Sequence, residues 1–252
     1  MIADPWFYAV AVPAVLIAGI SKGGFGAGVA MAVPLMSLTV APPQAAAIML
    51  PILVAMDVMG VWVYRRSWHK GNMKIVLPAA LVGIVIGAAA FRYTDVTFTR
   101  LLIGGIALAF SLNWWLRLRL KPRAPRPAPH PAKGAFWGTL SGFTSFVAHA
   151  GGPPLNVYLL PQGMEKRLYV GTTVVFFFAV NLVKLFPYAW LGQFDATNLT
   201  TSAIFLPLVP VGFGLGLWLQ KRISDRVFYA ACYALLSLTG VKLIWDGVAG
   251  LL

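Results

Sequence analysis

The sequence is poor in charge and nearly lacks cysteine and histidine. Only 11% of its 252 residues are charged and 59% are hydrophobic, whereas soluble domains carry about 25% charged residues. The lone Cys232 excludes an intrachain disulfide, and three scattered histidines give no metal-ligand spacing. No phosphate-binding loop motif is present, so this chain does not hydrolyse ATP. We therefore expect a membrane protein without metal or cofactor.

Acidic residues are the scarcest charged class. Seven Asp and Glu stand against twenty Lys and Arg, which gives a formal net charge of +13. A basic surplus can indicate nucleic-acid binding, but here the basic residues lie between apolar runs, so we expect the lipid bilayer and no nucleic acid as partner. The N-terminus has no basic stretch before its first apolar run, so we interpret it as mature structure rather than a signal peptide.

Long apolar runs fill most of the chain, and each span of a bilayer needs ~20 such residues. Two of the runs are broken by glycine-rich stretches, and the others are continuous. We predict broken segments at 5–40 and 134–160, and spans at 44–64, 75–91, 98–116, 168–190, 199–219 and 227–245.

The two halves of the chain follow the same plan. Residues 26–35 align with 150–159 at an offset of 124, and Gly83 and Gly87 align with Gly212 and Gly216 at an offset of 129. Such internal duplication is typical of transporters. We predict three parts, which are a first membrane repeat at 1–119, a basic Pro-rich cytoplasmic linker at 120–133 and a second repeat at 134–252.

Basic loops predict the topology. Fifteen of the twenty Lys and Arg residues lie in four loops, which the positive-inside rule places in the cytoplasm. Segment 134–160 then begins and ends on the cytoplasmic side, and each half is a hairpin plus three spans. Three crossings is an odd number, so the second copy is inverted and both termini are non-cytoplasmic. The predicted fold class is an all-α integral membrane protein, an inverted repeat of two such units.

The hairpins themselves allow two interpretations. Their first arms, 5–19 and 134–147, would be ~22 Å long as helices, short of the ~30 Å hydrocarbon core. Re-entrant hairpins with tips near the midplane fit these lengths, because broken backbone is tolerated there only when it is buried in protein or lines a cavity. The alternative makes each hairpin two short full spans.

Glycines cluster at both breaks, where hairpin tips of transporters bind substrate. Half-helix N-termini at such tips direct free N–H groups and a positive dipole at anions. Close helix packing through small residues is the alternative. The substrate-binding glycines that we predict are Gly23, Gly24, Gly26 and Gly28 in the first tip and Gly151 and Gly152 in the second.

Four polar side chains beside these glycines are further substrate-binding candidates. Lys22 lies in the first break, where a charge indicates function by default, although it could instead extend to the interface. His149 lies in the second break and Ser145 flanks it, and both could donate to an oxyanion. A structural hydrogen bond is the alternative for His149, and a bond to a nearby carbonyl is the alternative for Asn156.

Two charged residues lie well inside predicted spans, away from the span ends. Asp57 is in span 44–64 and its repeat counterpart falls near Lys184, so the two could pair across the pseudo-twofold axis as a structural pair. Otherwise Asp57 is the best carrier of a coupled proton. His149 and Lys184 are the other proton-coupling candidates.

The duplicated glycine-rich break, the Gly151-Gly152-Pro153-Pro154 motif and the basic linker resemble the TauE/SafE family of sulfite and organosulfonate exporters. The resemblance covers essentially the whole chain. It implies movement of small sulfur-containing anions such as sulfite or sulfoacetate across the bacterial inner membrane. The first break departs from the plainer triple glycine common in such proteins, so Lys22 and His149 could mark a subgroup with its own substrate.

We therefore expect a secondary transporter of a small anion, exporting and coupled to protons, and not an enzyme. Uptake of another sulfur metabolite such as thiosulfate is an alternative. Ser145 and His149 are four residues apart, so an intramembrane hydrolase is a further alternative from another class. A homo-oligomer is left open.

Overall fold

The computed structural model describes residues 2, 4–25, 28–91, 93, 95–119, 128–219 and 221–251. Regular structure in these ranges is helical throughout, with no strand. The helices are α1 Pro5–Ile20, α2 Ala32–Met36, α3 Pro42–Tyr64, α4 Lys70–Phe91, α5 Val96–Arg119, α6 Pro131–Ala148, α7 Gly152–Leu159, α8 Lys166–Trp190, α9 Ala196–Phe205, α10 Leu208–Leu219 and α11 Asp225–Ala249.

Six helical segments in the described ranges are long and apolar enough to cross a membrane. A seventh span arises if α9 and α10, which meet at a bend of 43°, are counted together. Five of the six predicted continuous spans are confirmed as single helices to within five residues at each end, whereas the predicted span 199–219 is the bent pair α9 and α10. The six segments that are long and apolar enough to cross are Pro5–Phe25, Pro42–Tyr64, Lys70–Phe91, Val96–Leu116, Arg167–Trp190 and Ala230–Ala249.

The first arms of both hairpins are longer than the sequence predicts. After α1, Ser21–Phe25 continues the helix as a wide π-type turn, so the arm runs for 21 residues instead of breaking at residue 19. Helix α6 begins at Pro131, inside the predicted linker, because proline suits the first helical position and His130 caps Lys133 N–H. The prediction of a short first arm is therefore wrong for the first hairpin, whereas α6, with 18 residues or ~27 Å, is longer than predicted and still below the ~30 Å of the hydrocarbon core.

The returning arms are short. In the first hairpin, a 3₁₀ turn Gly28–Met31 leads into the five-residue α2. In the second, the eight-residue α7 is followed by a 3₁₀ turn Leu160–Gln162. At 1.5 Å per helical residue α7 is ~12 Å long, far below the ~30 Å that a crossing needs.

Each hairpin packs against the other half of the chain. A Cβ on Gly19 would lie 2.9 Å from Gly212 Cα, and one on Gly23 would lie 3.2 Å from Gly216 Cα, so α1 runs parallel to α10. In the same way α6 runs parallel to α4. Gly138 faces Ala79 there, and further along Phe146 lies against Gly87.

Two other helix pairs run antiparallel. Asp57 of α3 contacts Asn181 of α8, whereas Ser67, just beyond the end of α3, lies against Gly171 near the start of α8. The α5–α11 pair is antiparallel as well. There Gly250 lies near Thr97, at one end of α5, and Gly240 lies against Leu108 in its middle. Helices α3 and α8 thus form the centre of the molecule. Each of the two hairpins beside them packs against a helix from the other half of the chain.

The hairpin contacts leave no room for an added methyl group. A Cβ on Gly142 would lie 2.0 Å from the carbonyl oxygen of Ala80, whereas one on Gly105 of α5 meets nothing within 4 Å. We expect Gly142→Ala to destabilise the protein by about 1–3 kcal/mol through overpacking, and Gly105→Ala to have no destabilising effect. Thermal unfolding in detergent measures both. Equal midpoints for the two variants would contradict this packing.

Candidate functional site

His149 ends α6 in an unusual conformation. Its φ of 51° is in the left-handed region, and no other non-glycine residue in the described ranges has positive φ. Glycine is the usual residue at such a helix end, and other residues there cost on the order of 1–3 kcal/mol. His149 is 4% exposed. Glycine would relieve this strain, yet the position holds a buried histidine. We infer that the imidazole ring has a role there.

The ring of His149 ties the second hairpin to α3 and α8. Its Nε2 lies 2.9 Å from the carbonyl oxygen of Ala46, and its Nδ1 lies 2.6 Å from Nζ of Lys184. A neutral ring satisfies both contacts if Nε2–H donates to Ala46 and Nδ1 accepts from Lys184. Both ring nitrogens are therefore occupied.

Lys184 is fully buried behind the second hairpin tip. Besides His149, its Nζ donates to the carbonyl oxygen of Ser145 at 2.8 Å and to the Ser145 hydroxyl at 3.1 Å. Nearby, the Tyr188 hydroxyl donates to the carbonyl oxygen of Phe146 at 2.6 Å. These bonds fasten the end of α6 to the second half of α8.

The first hairpin has its own polar cluster. Nζ of Lys22 pairs with one carboxylate oxygen of Asp57, whose other oxygen accepts from Asn181 Nδ2 at 2.6 Å. The side chains of Lys22 and Asp57 are 11% and 1% exposed, so Lys22 does not extend to the interface. A lysine in the first tip thus meets the acid of α3.

Residues of both clusters line one cavity, whose empty volume is about 550 Å³ with the open solvent at its mouth included. Its wall is mostly apolar. The lining residues that carry polar groups in their side chains are Lys22, Asp57, Ser145, His149, Thr173 and Asn181. Such a pocket, apolar with a few polar groups, is typical of small-ligand sites.

The structure brings several of the predicted positions together and separates one predicted pair. Lys22, Ser145, His149 and Gly152 line one cavity, as two tips that meet would require. The predicted pairing of Asp57 with Lys184 is wrong. Asn181 lies opposite Asp57, and Lys184 is one helical turn further along α8, where it meets the second tip instead.

Four other predicted site residues that the structure describes are not among the residues that line the cavity, namely Gly23, Gly24, Gly151 and Asn156. Gly23 packs against the backbone of α10 and Gly24 is buried, as the small-residue alternative expects. The carbonyl of Gly151 accepts from Ser141 at 2.7 Å. Asn156 accepts from the Tyr169 hydroxyl at 2.6 Å. Gly26 lies outside the described residues, and for Gly28 only its place in the 3₁₀ turn is described.

Thr173 and Asn181 are cavity residues that were not among the predicted substrate-binding positions. Together with Phe177 they follow a four-residue spacing on α8, which places all three on one helix face. This spacing was the available signal, since two of the three side chains are polar in an apolar span.

The arrangement does not resemble a hydrolase or a metal site. Ser145 and His149 each contact Lys184, and no hydrogen bond joins the Ser145 hydroxyl to the His149 ring. Within the described ranges, no three His, Cys, Asp or Glu side chains lie close enough to hold a metal ion. The chemistry that the site offers is hydrogen bonding and positive charge.

Comparison with known proteins identifies the family. A family model described as sulfite exporter TauE/SafE matches residues 11–243. The chain belongs to this family. Searches against curated proteins and against solved structures gave no match. TauE/SafE proteins are anion transporters and not enzymes, and with its apolar helices this chain is a multi-pass membrane protein.

Proposed function

We propose that this TauE/SafE protein is a secondary transporter that exports a small sulfur oxyanion, sulfite or an organosulfonate, across the bacterial inner membrane. One observation carries the proposal: Lys22 and Asp57 line the cavity, and the fully buried Lys184 lies behind it in contact with Ser145 and His149, so two lysines accompany a single carboxylate. An anion is the ligand that such a charge distribution favours.

Lys22 and Ser145 are the groups that would hold the anion. Nζ of Lys22 faces the cavity, so an oxyanion can share or replace the contact that Asp57 makes with it. The Ser145 hydroxyl oxygen accepts from Lys184, which leaves its hydrogen free to donate to an oxyanion. The apolar wall around them would strengthen both contacts by excluding water.

The coupled proton has three candidates, Asp57, His149 and Lys184. Lys184 is the best placed of them because, among the described residues, no carboxylate pairs with it, and an arriving anion stabilises its ammonium form. Asp57 is already held by Lys22 and Asn181. The proton would then travel with the anion.

The proposed architecture is the inverted repeat predicted from the loop charges, with units 1–119 and 134–252 joined by the linker 120–133. Three features support it. The α3–α8 and α5–α11 pairs, which join equivalent helices, run antiparallel, as an axis in the membrane plane requires. Each hairpin packs on the other half. The returning arms are too short to cross, as in re-entrant hairpins.

We propose that the mouth of the cavity lies toward the start of α8. The wall of the cavity runs from Asn181 to Val170, and Val170 lies one turn from the basic start of α8 at Lys166–Arg167. On the positive-inside rule this end is cytoplasmic, and both chain termini are on the other side. The conformation would thus be open to the cytoplasm, where an exporter loads its substrate.

Matched prolines offer a way to alternate access. Pro207 and Pro78 precede Gly212 and Gly83 by five residues each, at the same offset of 129. The chain bends by 43° at Leu206–Pro207, whereas α4 continues as one helix through Pro78. If α4 bent at Pro78 while α9 and α10 straightened at Pro207, the two repeats would exchange conformations. The cavity would then close on the cytoplasmic side and open on the opposite side.

Thermal stability of the purified protein tests the proposed ligand class. We expect sulfite or a short alkylsulfonate to raise the unfolding midpoint with a saturable concentration dependence, because a ligand that binds only the folded protein stabilises it. Dimethyl sulfone, which has similar S–O groups and no charge, is the control, and thiosulfate tests the alternative substrate. If no sulfonate or sulfite shifts the midpoint, the proposal fails.

A further inference from the structure

We infer that the site accepts anions with a single negative charge and discriminates against dianions of the same shape. The inference rests on the proposed function, since it specifies the ligand of the same cavity. It follows from the charges and hydrogen bonds around the cavity when the anion is bound, which we call the loaded state.

Lys184 contributes one positive charge to the loaded site. An ammonium group has three N–H donors, and Nζ of Lys184 has three partners with acceptor atoms, which are the Ser145 carbonyl, the Ser145 hydroxyl and Nδ1 of His149. All three partners are neutral. The charge of Lys184 therefore has no counterion in contact among the described residues.

The other two charges of the site cancel. Lys22 pairs with Asp57, and the second oxygen of Asp57 is occupied by Asn181. Among the described residues that line the cavity, only Lys22, Asp57 and His149 have acidic or basic side chains. Two ammonium groups and one carboxylate leave a net charge of +1.

His149 does not supply a second positive charge. Its Nε2 is engaged by the Ala46 carbonyl and its Nδ1 accepts from Lys184. A proton on Nδ1 would remove that acceptor and place two like charges in contact, which disfavours the charged ring. The loaded site is thus electrically neutral with a monoanion, and a dianion leaves one buried negative charge unpaired.

An isosteric pair of ligands separates charge from shape. Ethanesulfonate carries one negative charge at every pH near neutrality, whereas ethylphosphonate gains a second as the pH rises. On the wild-type protein, isothermal titration calorimetry should show at least ~10-fold weaker binding of ethylphosphonate than of ethanesulfonate at alkaline pH. The difference should shrink at acidic pH, where both are monoanions, and ethanesulfonate corrects for titration of the protein itself.

Removal of the carboxylate should reverse the preference. In Asp57→Asn the site gains one net positive charge, so dianionic ethylphosphonate should bind at least as tightly as ethanesulfonate. Asp246→Asn is the matched control, since Asp246 pairs with Lys242 near the end of α11, away from the cavity, and it should keep the wild-type preference. The wild-type pH series decides the question even if Asp57→Asn does not fold.

The outcomes are distinct. Weaker binding of the dianion to the wild type supports the inference. Equal affinity for both ligands at alkaline pH overturns it and leaves the proposed function standing. Absence of binding by both ligands at every pH, together with absence of a sulfite effect, overturns the proposed function as well.

Discussion

Lys22→Met should abolish anion binding, with a loss of at least ~100-fold in affinity. Lys22 is the cation that faces the cavity, and without it the carboxylate of Asp57 points at the same space and repels an anion. The substitution keeps a long unbranched side chain, so the cavity changes in charge more than in volume. Binding of ethanesulfonate, measured by calorimetry, checks the prediction.

The same variant should also lose stability, and the two effects can be separated. Removing one partner of a buried ion pair costs about 3–5 kcal/mol, because the other charge is left uncompensated. The double variant Lys22→Met/Asp57→Asn removes both charges and should recover most of the stability but none of the binding. Lys242→Met, which breaks an exposed Lys–Asp pair, is the control. Wild-type affinity in the double variant would refute the assignment of Lys22.

Pro207→Ala and Pro78→Ala should shift the conformational equilibrium in opposite directions. Alanine at 207 restores a backbone donor and favours a straight helix through α9 and α10, which is the form proposed for the other state. Alanine at 78 favours a straight α4, the form seen here. We expect at least ~5-fold lower occupancy of the cytoplasm-open state in Pro207→Ala, and no decrease in Pro78→Ala.

Cysteine labelling reports this equilibrium. The chain has one cysteine, so a Cys232→Ala background with Val170→Cys places a single thiol in the wall of the cavity. A membrane-impermeant maleimide added from the cytoplasmic side should label it more slowly in Pro207→Ala than in Pro78→Ala. Parallel changes in both variants, or no change in Pro207→Ala, would contradict the exchange of conformations.

The long apolar runs were sufficient to predict most of the helices, and loop charges with glycine positions indicated that the two breaks lie near each other. Fifteen basic residues in four loops and a glycine-rich break in each half indicate this proximity without any contact information. Lys22 and His149 were predicted to share a site because they lie in matched breaks, and both line the same cavity.

The partners of each charge could not be predicted in the same way. Asn181 and Lys184 are three residues apart, ~4.5 Å along α8, and the alignment of the halves was uncertain by that distance. That single turn decides which residue faces Asp57 and which faces the second tip. The continuation of α1 through a wide turn at Ser21–Phe25 was also missed, because its glycines suggested a break there.

The most direct test of the account is the flux of radiolabelled sulfite through proteoliposomes. We expect saturable flux for the wild type, competition by ethanesulfonate, and background flux for Lys22→Met/Asp57→Asn, whose fold should be retained. Flux no greater than that of empty liposomes would contradict the proposed function. Equal flux in the wild type and the double variant would show that the cavity between the hairpins is not the anion site.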